Sequence, residues 1–214
     1  MTLAPAQKPQ WHHIDTVLLD LDGTLLDLAF DNFFWWESVP AAYAGARGCS
    51  LEEARAALLP QFRKWEGQLE WYCIDHWSRE LGLDVAQMHR DESARIGWLP
   101  GAEGFVSRLR SLGKRRVLVT NAHPETLAIK DRQTGVTRYF DAVFSSHAFR
   151  APKESAEFWR GLRAVEPFDP RRTVFIDDSL PVLRAARKAG IAWIYAVSAT
   201  ASAEFAAVTS VAEL

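Results

Sequence analysis

The sequence predicts an α/β fold in which a parallel sheet is interrupted, after its first strand, by an all-helical insert. Short apolar runs rich in β-branched residues indicate buried strands, and they occupy residues 16–20, 116–120, 142–145, 173–177 and 191–197. Segments of helical periodicity separate most of these runs, and such alternation favours parallel strands covered by helices on both faces. Residues 28–98 contain no convincing strand pattern, so we expect the chain to leave the sheet there and return later.

Glycine and proline mark the ends of the helices between the strands. Helical segments are predicted at residues 103–112, 125–133 and 180–189. Gly113, Gly135 and Gly190 follow these segments at or near the position where glycine commonly ends a helix. Pro124 suits the first position of the middle helix, because an N–H would have no helical partner there. The second half of the chain is therefore predicted to alternate between strand and helix.

The insert contains four predicted helical segments, at residues 32–46, 51–66, 71–81 and 85–96. Ser50 and Glu53 form a capping-box pattern at the start of the second segment. The chain is therefore predicted to consist of a loose N-terminal tail, a catalytic core built from two stretches, and a helical cap domain between them. The tail is residues 1–10, the core residues 11–27 and 100–214, and the cap residues 28–99.

The composition is that of a soluble globular protein and does not indicate a polymeric or membrane partner. The 214 residues carry a net charge of −2, and no basic stretch favours a nucleic acid polymer. No apolar stretch reaches the roughly 18 uncharged residues of a membrane-spanning helix, and the first ten residues lack the apolar segment of a signal peptide. Cys49 and Cys73 fit neither a disulfide framework nor a common zinc pattern. We therefore expect a cytoplasmic protein with reduced thiols.

Polar and charged side chains follow three of the predicted strands at their carboxyl ends, and a lysine lies in a loop between strands. In chain order these candidates are Asp20 and Asp22, Thr120 and Asn121, Lys153, and Asp177 and Asp178. Ligands bind beyond the carboxyl ends of parallel strands, so residues more than a hundred positions apart in the chain are expected to meet in one site. This convergence makes the pattern more specific than any single motif.

The four carboxylates of this set need a cation. Two like charges 4 Å apart repel by about 4 kcal/mol at an effective dielectric constant of about 20. Oxygen ligands favour Mg²⁺, which we expect Asp20, Asp22 and Asp177 to hold, with Asp178 supporting through a metal-bound water or by orienting the lysine. Such an ion would let an anionic nucleophile approach a phosphate. The motifs therefore predict metal-assisted phosphoryl transfer from a small-molecule phosphomonoester.

Each remaining side chain has a predicted role in that chemistry. Asp20 is the expected nucleophile, which attacks phosphorus and becomes a phospho-aspartyl group. Asp22 is expected to protonate the leaving oxygen and then to activate the water that hydrolyses this intermediate. Thr120 and Asn121 are expected to donate hydrogen bonds to the transferred group, and Lys153 to bind the phosphoryl oxygens and neutralise their charge.

Taken alone, each motif also fits a purely structural role. Asp177 and Asp178 could cap the helix that follows them, and Lys153 could be a solvated surface lysine. The combination, in order and at the ends of strands, favours the functional interpretation. Lys114 and Lys130 are less suitable as the catalytic lysine, because each lies on or beside a predicted helix away from the strand ends.

One histidine and several aromatic residues leave further alternatives open. His123 is a candidate general base beside the second motif, although Asp22 already fills that role. Six of the nine tryptophans lie in the predicted cap: Trp35, Trp36, Trp65, Trp71, Trp77 and Trp98. Most are expected to pack between helices, and one or two could stack on a flat substrate, a contact worth about 1–3 kcal/mol for a nucleobase. Phe30, Phe33 and Phe34 have the same two interpretations.

The motifs together resemble those of the haloacid dehalogenase (HAD) superfamily, most of whose members are phosphatases. The resemblance covers the chain after its tail and implies a Rossmann-like parallel core, a Mg²⁺ cofactor and a helical cap that selects the substrate. Residues 18–32, 71–75 and 120–124 resemble the bacterial GMP/IMP 5′-nucleotidases of this superfamily, which implies hydrolysis of purine ribonucleoside monophosphates. The common lysine motif places a proline after the lysine, whereas here Pro152 precedes Lys153, a form that the nucleotidase group shares.

Other functions of the same superfamily remain alternatives. A haloacid dehalogenase is disfavoured, because its chemistry has no leaving oxygen to protonate and Asp22 is present. A sugar-phosphate phosphatase or a phosphomutase shares the catalytic motifs, and only the release of free phosphate separates the hydrolase from the mutase. A non-catalytic phosphate-binding module would be expected to lack Asp20, Asp22, Lys153 or Asp177, and all four are present.

Overall fold

A six-stranded parallel sheet lies at the centre of the molecule, whose computed structural model describes residues 9–197 and 204–214. The strands are β1 (Thr16–Leu19), β2 (Arg115–Thr120), β3 (Ala142–Ser145), β4 (Thr173–Asp177), β5 (Trp193–Val197) and β6 (Ala206–Val208). Their order is β3-β2-β1-β4-β5-β6, and every neighbouring pair is parallel. This order reverses direction between β1 and β4, which is where doubly wound sheets open a crevice for ligands. The predicted α/β class and its Rossmann-like core are confirmed.

Helices cover both faces of this sheet. The α-helices of the described residues are α1 (Ala29–Phe33), α2 (Val39–Arg47), α3 (Leu51–Trp65), α4 (Ile74–Leu81), α5 (Val85–Asp91), α6 (Ala102–Ser111), α7 (Pro124–Thr134), α8 (Ala156–Val165) and α9 (Leu180–Lys188). Alternate residues of β1 enter different cores. Leu18 packs with α8 and α9 on one face, whereas Val17 and Leu19 belong to a larger core on the other face that includes α6 and α7. The two cores hold β1 rigidly from both sides.

Two elements were absent from the predictions. Helix α8 begins at the N-cap Ser155 and buries Phe158, Trp159 and Leu162, so a cap and helical spacing were both readable in the sequence. Strand β6 has only three residues and pairs with β5. So short a run carries no periodicity of its own, and its place in the sheet depends on the neighbouring strand.

The chain between β1 and α6 forms the predicted all-helical segment, here named the helical insert (α1 to α5). Its predicted first helix, residues 32–46, is wrong in one respect, because a π-helical segment at Phe34–Ser38 separates α1 from α2. Pro40 explains the break, since it has no N–H to donate to the carbonyl of Trp36 four residues earlier. Arg55 of α3 donates to that carbonyl instead, at 3.4 Å. The predicted capping box of Ser50 and Glu53 is present.

The two ends of the insert meet beside the end of β1. The Asp27 N–H donates to the Gly97 carbonyl at 3.0 Å, and the Leu99 N–H donates to the Leu25 carbonyl at 2.8 Å. The outgoing and returning chains are thus tied together next to the predicted catalytic residues. Among the described residues, no helix is both long enough and apolar enough to span a bilayer. The predicted loose tail lies outside the described residues up to position 8.

Candidate active site

Asp20 and Asp177 lie side by side at the carboxyl ends of β1 and β4, where the strand order reverses. Asp20 directly follows β1, and its N–H donates to the Ile176 carbonyl at 3.0 Å. Asp177 is the last residue of β4. Both side chains are almost fully buried. The parallel pairing of the two strands therefore brings together two carboxylates that are 157 positions apart in sequence.

Lys153 joins these two carboxylates. Its Nζ donates to Asp20 Oδ1, to Asp177 Oδ2 at 2.8 Å and to the Val119 carbonyl at 3.2 Å. Burial acts to lower the pKa of Lys153, but Asp177 and Asp20 outweigh it, so the pKa rises and the ammonium stays charged. Trp159 of α8 fixes the loop by donating its indole N–H to the Lys153 carbonyl at 2.8 Å.

Asp178 completes a group of three carboxylates. One oxygen each of Asp20, Asp177 and Asp178 lies within 4.8 Å of the other two. Burial raises the pKa of Asp20 and of Asp177, and burial together with repulsion from Asp177 raises the pKa of Asp178 to about 7. A divalent cation would relieve both effects, and three carboxylates suit Mg²⁺ by charge and by ligand type. The residues therefore fit the predicted cofactor.

Gly23 has no side chain because Asp178 occupies that space. Gly23 has a φ of +80°, and a Cβ built on it would lie 2.2 Å from Asp178 Oδ2. Any other residue would be strained in this left-handed conformation and would also push Asp178 out of the carboxylate group. Position 23 therefore requires glycine, because Asp178 approaches the backbone closely there.

Thr120 and Asn121 act mainly on the surrounding chain. Thr120 is buried at the end of β2, where its Oγ1 accepts a hydrogen bond from the Ala122 N–H at 3.0 Å. Asn121 Oδ1 accepts from the Lys153 N–H at 2.9 Å, and its Nδ2 donates to Glu154 at 3.1 Å. Both residues line the same cavity as Asp20. Their predicted role in binding phosphate stays a prediction, and Asn121 also fixes the backbone at Lys153.

Asp22 does not join the group of three carboxylates. Its Oδ1 accepts a hydrogen bond from Lys130 Nζ at 2.6 Å, and the same ammonium donates to both oxygens of Asp31 at 2.8 Å. Burial raises the pKa of Asp22, and the charge of Lys130 opposes this rise. The prediction that Asp22 binds metal therefore stays a prediction, and in this structure its carboxylate pairs with Lys130.

Sequence reasoning missed the contact that Lys130 makes. Lys130 lies on α7, as expected, but its side chain is almost fully buried and reaches back to the end of the first motif. No pattern in the sequence signals this contact, because only the structure shows that Lys130 shares a buried helical face with Thr126, four residues earlier. Lys114 does serve a structural purpose, since it donates to the carbonyls of Trp11 and Ile14.

One cavity of about 300 Å³ extends from the carboxylates into the helical insert. Its wall in the insert is largely aromatic and includes Trp35, Trp36, Phe62, Trp71 and Trp77. These rings pack mostly edge to face, for example Phe62 on Trp77 with 5.1 Å between centroids. Trp36 is 47% exposed. Trp65, Trp98, Phe30, Phe33 and Phe34 are not among the residues that line the cavity.

His89 adds a polar group to this wall. The ring stacks on Phe34 with centroids 3.9 Å apart and is 1% exposed. By distance and angle, neither ring nitrogen has a hydrogen-bond partner among the described residues. Burial lowers the pKa of His89 to about 3, against a weaker opposing effect of the Val85 carbonyl. The imidazole is therefore neutral at pH 7 and carries one donor and one acceptor.

Replacing His89 with phenylalanine is expected to reduce the acid sensitivity of the fold. The folded-state pKa lies below the unfolded value of 6.5, so the unfolded chain binds a proton that the folded chain refuses. This contribution to stability is complete above pH 6.5 and is lost as the pH falls toward 3. Between about pH 7.5 and 5.5, urea unfolding should show the parent losing about 1.4 kcal/mol more than His89→Phe. If the free energies of unfolding of the parent and of His89→Phe changed equally with pH, His89 would not be a buried neutral imidazole.

His123 lies on the edge of the cavity in a structural position. Its Nδ1 accepts from the Glu125 N–H at 3.3 Å and so caps α7, while its Nε2 lies 3.6 Å from an Asp75 carboxylate oxygen. Asp75 belongs to α4 of the insert, and His123 therefore contacts the seam between insert and sheet. Neither of these contacts involves Asp20 or Asp22, so they do not support a role of His123 as general base.

Comparison with known proteins agrees with this geometry. The haloacid dehalogenase-like hydrolase family matches residues 14–190. The GMP/IMP nucleotidase YrfG of Escherichia coli (strain K12) is 40% identical over 188 residues, which are 88% of this chain and 85% of the relative. A HAD phosphatase from Thermococcus onnurineus has a similar structure, with a TM-score of 0.80, 20% identity and coverage of 94% of this chain and 95% of its own.

A second solved structure of similar fold was determined with magnesium and inorganic phosphate. The HAD family enzyme BT-2542 of Bacteroides thetaiotaomicron, as an aspartate-to-alanine mutant in complex with magnesium and inorganic phosphate, matches with a TM-score of 0.62 and 17% identity. The match covers 89% of this chain and 97% of the enzyme. At that identity the likeness concerns the fold. The match over residues 14–190, the 40% identity to a relative and the shared fold together establish the family. The chain belongs to the haloacid dehalogenase-like hydrolases.

Proposed function

We propose that this chain is a Mg²⁺-dependent, cytoplasmic phosphomonoesterase that hydrolyses purine ribonucleoside 5′-monophosphates, GMP and IMP in particular. The observation that carries the proposal is the cavity that joins Asp20, Lys153 and Asp177 to an aromatic wall. A phosphate at one end and a flat base at the other would both find suitable partners in it. The 40% identity to an E. coli GMP/IMP nucleotidase supports the same substrate class.

The helical insert serves as the substrate-selecting cap in this proposal, with cap residues 28–99 and core residues 11–27 and 100–214. Tyr72 of the insert donates its hydroxyl to Glu154 at 2.6 Å, and Glu154 also accepts from Asn121. Burial, and then the charge of Glu154, raises the pKa of Tyr72, so the hydroxyl remains a donor. The contact holds the insert beside the loop that carries Lys153, and substrate access therefore depends on how the insert sits over the sheet.

Asp20, Asp177 and Asp178 would hold the Mg²⁺ ion, whereas the sequence predicted Asp20, Asp22 and Asp177 as ligands with Asp178 in a supporting role. The ion supplies charge neutralisation, so that two anions can react. Lys153 already balances part of the negative charge of Asp20 and Asp177. Its ammonium would also bind a phosphoryl oxygen beside Asp20, and it would stabilise negative charge on the transferred group in the transition state.

The reaction proceeds in two displacements at phosphorus. A carboxylate oxygen of Asp20 forms a bond to phosphorus as the bond to the ribose O5′ breaks, and Asp22 gives its proton to that oxygen. Asp22, now a carboxylate, takes a proton from water, and the water oxygen attacks phosphorus. The bond to Asp20 then breaks, and phosphate leaves with both catalytic aspartates restored.

Lys130 suits the change of charge that this cycle imposes on Asp22. The lysine is shared between Asp22 and Asp31, and Asp31 engages it through both oxygens. When Asp22 is protonated, Lys130 therefore retains a counter-ion, and when Asp22 is ionised the ammonium stabilises it. Asp31 belongs to α1, the first helix of the insert, so Lys130 links the position of Asp22 to the insert.

The aromatic wall supplies a surface for the base, and His89 and Asn32 supply polar groups along it. Asn32 lines the cavity, and its side-chain amide offers a donor and an acceptor side by side. The edge of a 6-oxopurine presents an acceptor at O6 next to a donor at N1, which an amide can pair with. A flipped amide would pair equally with the AMP edge, whose polarity is opposite, so the preference for GMP and IMP in this proposal rests on the likeness to the nucleotidase and not on Asn32.

The first test is phosphate release from a panel of phosphomonoesters with Mg²⁺. The panel includes GMP, IMP, AMP, UMP, sugar phosphates and phosphoglycolate. Turnover of GMP and IMP at a kcat/KM about tenfold or more above that for AMP would support the proposal. A preference for sugar phosphates would agree with the proposed catalytic residues but would contradict the proposed substrate class. No release from any member would favour a phosphate-binding module. Accumulation of a phosphorylated sugar without free phosphate would indicate a phosphomutase.

A further inference from the structure

Three metal-binding side chains meet at the seam between the helical insert and the sheet. Cys73 caps the start of α4 in the insert, His123 caps the start of α7, and His147 follows β3. The Cys73 sulfur and one nitrogen of each imidazole all lie within 4.8 Å of one another. Tetrahedral Zn²⁺ places such donors about 3.4–3.6 Å apart, so modest side-chain rotations would bring the three onto one ion.

Local contacts already direct these side chains toward one another. The rings of His123 and His147 meet edge to face, with centroids 4.9 Å apart and planes at 84°. His147 Nε2 is buried and has no hydrogen-bond partner among the described residues. Burial, and then the neighbouring His123, lowers the pKa of His147 to about 4, so its lone pair is available at neutral pH.

The remaining two donors each have a weak contact that binding would replace. Cys73 is a free thiol whose sulfur accepts from the His76 N–H at 3.4 Å. His123 Nδ1 accepts from the Glu125 N–H at 3.3 Å. Metal binding through Nε2 of His123 would place its proton on Nδ1 and break that bond, and the thiol proton would pass to solvent. The Asp75 carboxylate lies 3.6 Å from His123 Nε2 but outside this group of three donors, so water would supply the fourth ligand.

We propose that Cys73, His123 and His147 form a second metal site, which binds a borderline-soft divalent ion such as Zn²⁺. One thiolate and two imidazoles suit Zn²⁺ and its neighbours in the first transition row, whereas Mg²⁺ requires oxygen ligands. The two sites therefore select different ions. Cys73 comes from the insert and both histidines from the sheet side, so a bound ion ties the two parts together.

The second site lies where a bound ion would affect turnover. His123 lines the cavity, and Tyr72, directly before Cys73, already makes a hydrogen bond across the same seam to Glu154. An ion at Cys73 would hold the insert in place at this seam. Zn²⁺ is then expected to slow substrate entry or product release, and excess Mg²⁺ should not relieve the effect.

Titration with Co²⁺ tests the site without using activity. The full chain, in excess Mg²⁺ to occupy the carboxylates, should bind one Co²⁺ and show thiolate-to-cobalt charge transfer with tetrahedral d–d absorption. Zn²⁺ should displace it. Cys73→Ser should lose the charge transfer, and His147→Gln should weaken binding about tenfold or more. Cys49→Ser is the matched control, because it removes the only other cysteine of the chain and should leave the spectrum unchanged.

Each other outcome would overturn the proposal. Charge transfer that survives in Cys73→Ser or disappears in Cys49→Ser would place the ion elsewhere, and its absence from the parent would show that no such site forms. Thermal unfolding without Co²⁺ checks that each variant is folded. Because the readout is an absorption spectrum, it is independent of whether GMP and IMP are the substrates.

Discussion

Asp20→Asn is expected to lower kcat by about 10⁴-fold or more, because the amide cannot form the acyl-phosphate bond that the first displacement requires. The geometry leaves no substitute, since Asp177 and Asp178 would be occupied by the ion and Asp22 pairs with Lys130. Phosphate release from GMP measures the loss. Intact-protein mass after rapid acid quench should show a phosphorylated chain for the parent and none for Asp20→Asn.

The same substitution is expected to leave the fold intact. Burial and repulsion from Asp177, Asp178 and Asp22 raise the pKa of Asp20 against the attraction of Lys153, so the carboxylate is not a strong source of stability. Asp15→Asn is the matched control. Asp15 precedes β1 at its other end and forms an exposed ion pair with Arg172. It should retain nearly full activity, and substantial activity in Asp20→Asn would exclude this nucleophile.

The parts of the site that follow strand ends were predictable from sequence. Asp20 and Asp177 each follow a buried apolar run, and parallel pairing forces the ends of such runs to the same edge of a sheet. Lys153 was predictable from its place in the order of motifs. The positions of Asp20 and Asp177 follow from secondary structure and topology, which periodicity in the sequence reveals, and the catalytic roles of all three residues stay predictions.

The contacts that depend on side-chain packing were not predictable. Lys130 reaches Asp22 from the middle of a helix, across 108 positions of sequence, and periodicity indicates only that a helix is present. Pro40 could have signalled the π-helical break before α2, whereas the hydrogen bond that Arg55 of another helix donates to the Trp36 carbonyl depends on packing. His89 illustrates the same limit, because its buried, unpaired nitrogens follow from the packing of Phe34 against it.

The cluster at the seam shows how topology can bring together residues that no spacing rule connects. Cys73 was expected to be an ordinary reduced thiol, since neither cysteine lies in a zinc-binding pattern. Its neighbours His123 and His147 belong to loops that follow different strands. Metal motifs in sequence detect ligands that share one short segment, whereas this group depends on how the insert packs over the sheet.

Asp22→Asn is expected to slow hydrolysis of the phospho-enzyme by about 10²- to 10⁴-fold, the usual contribution of a positioned general base. An aryl phosphate separates the two displacements, because its leaving group departs without a proton. With this substrate, Asp22→Asn should release about one equivalent of phenolate per chain in a burst and then turn over slowly. A steady rate equal to that of the parent would show that another group activates the water.

Lys130→Met tests whether the buried lysine acts through Asp22. Alone, this substitution should lower the rate of phospho-enzyme hydrolysis by about tenfold or more, because Asp22 loses the ammonium that stabilises its ionised form. In the Asp22→Asn background the same change should have little further effect on the rate, since groups that act as a unit are not additive. A merely structural lysine would lower the rate equally in both backgrounds. The double-mutant cycle therefore distinguishes a lysine that positions Asp22 and stabilises its ionised form from one that only fills the core.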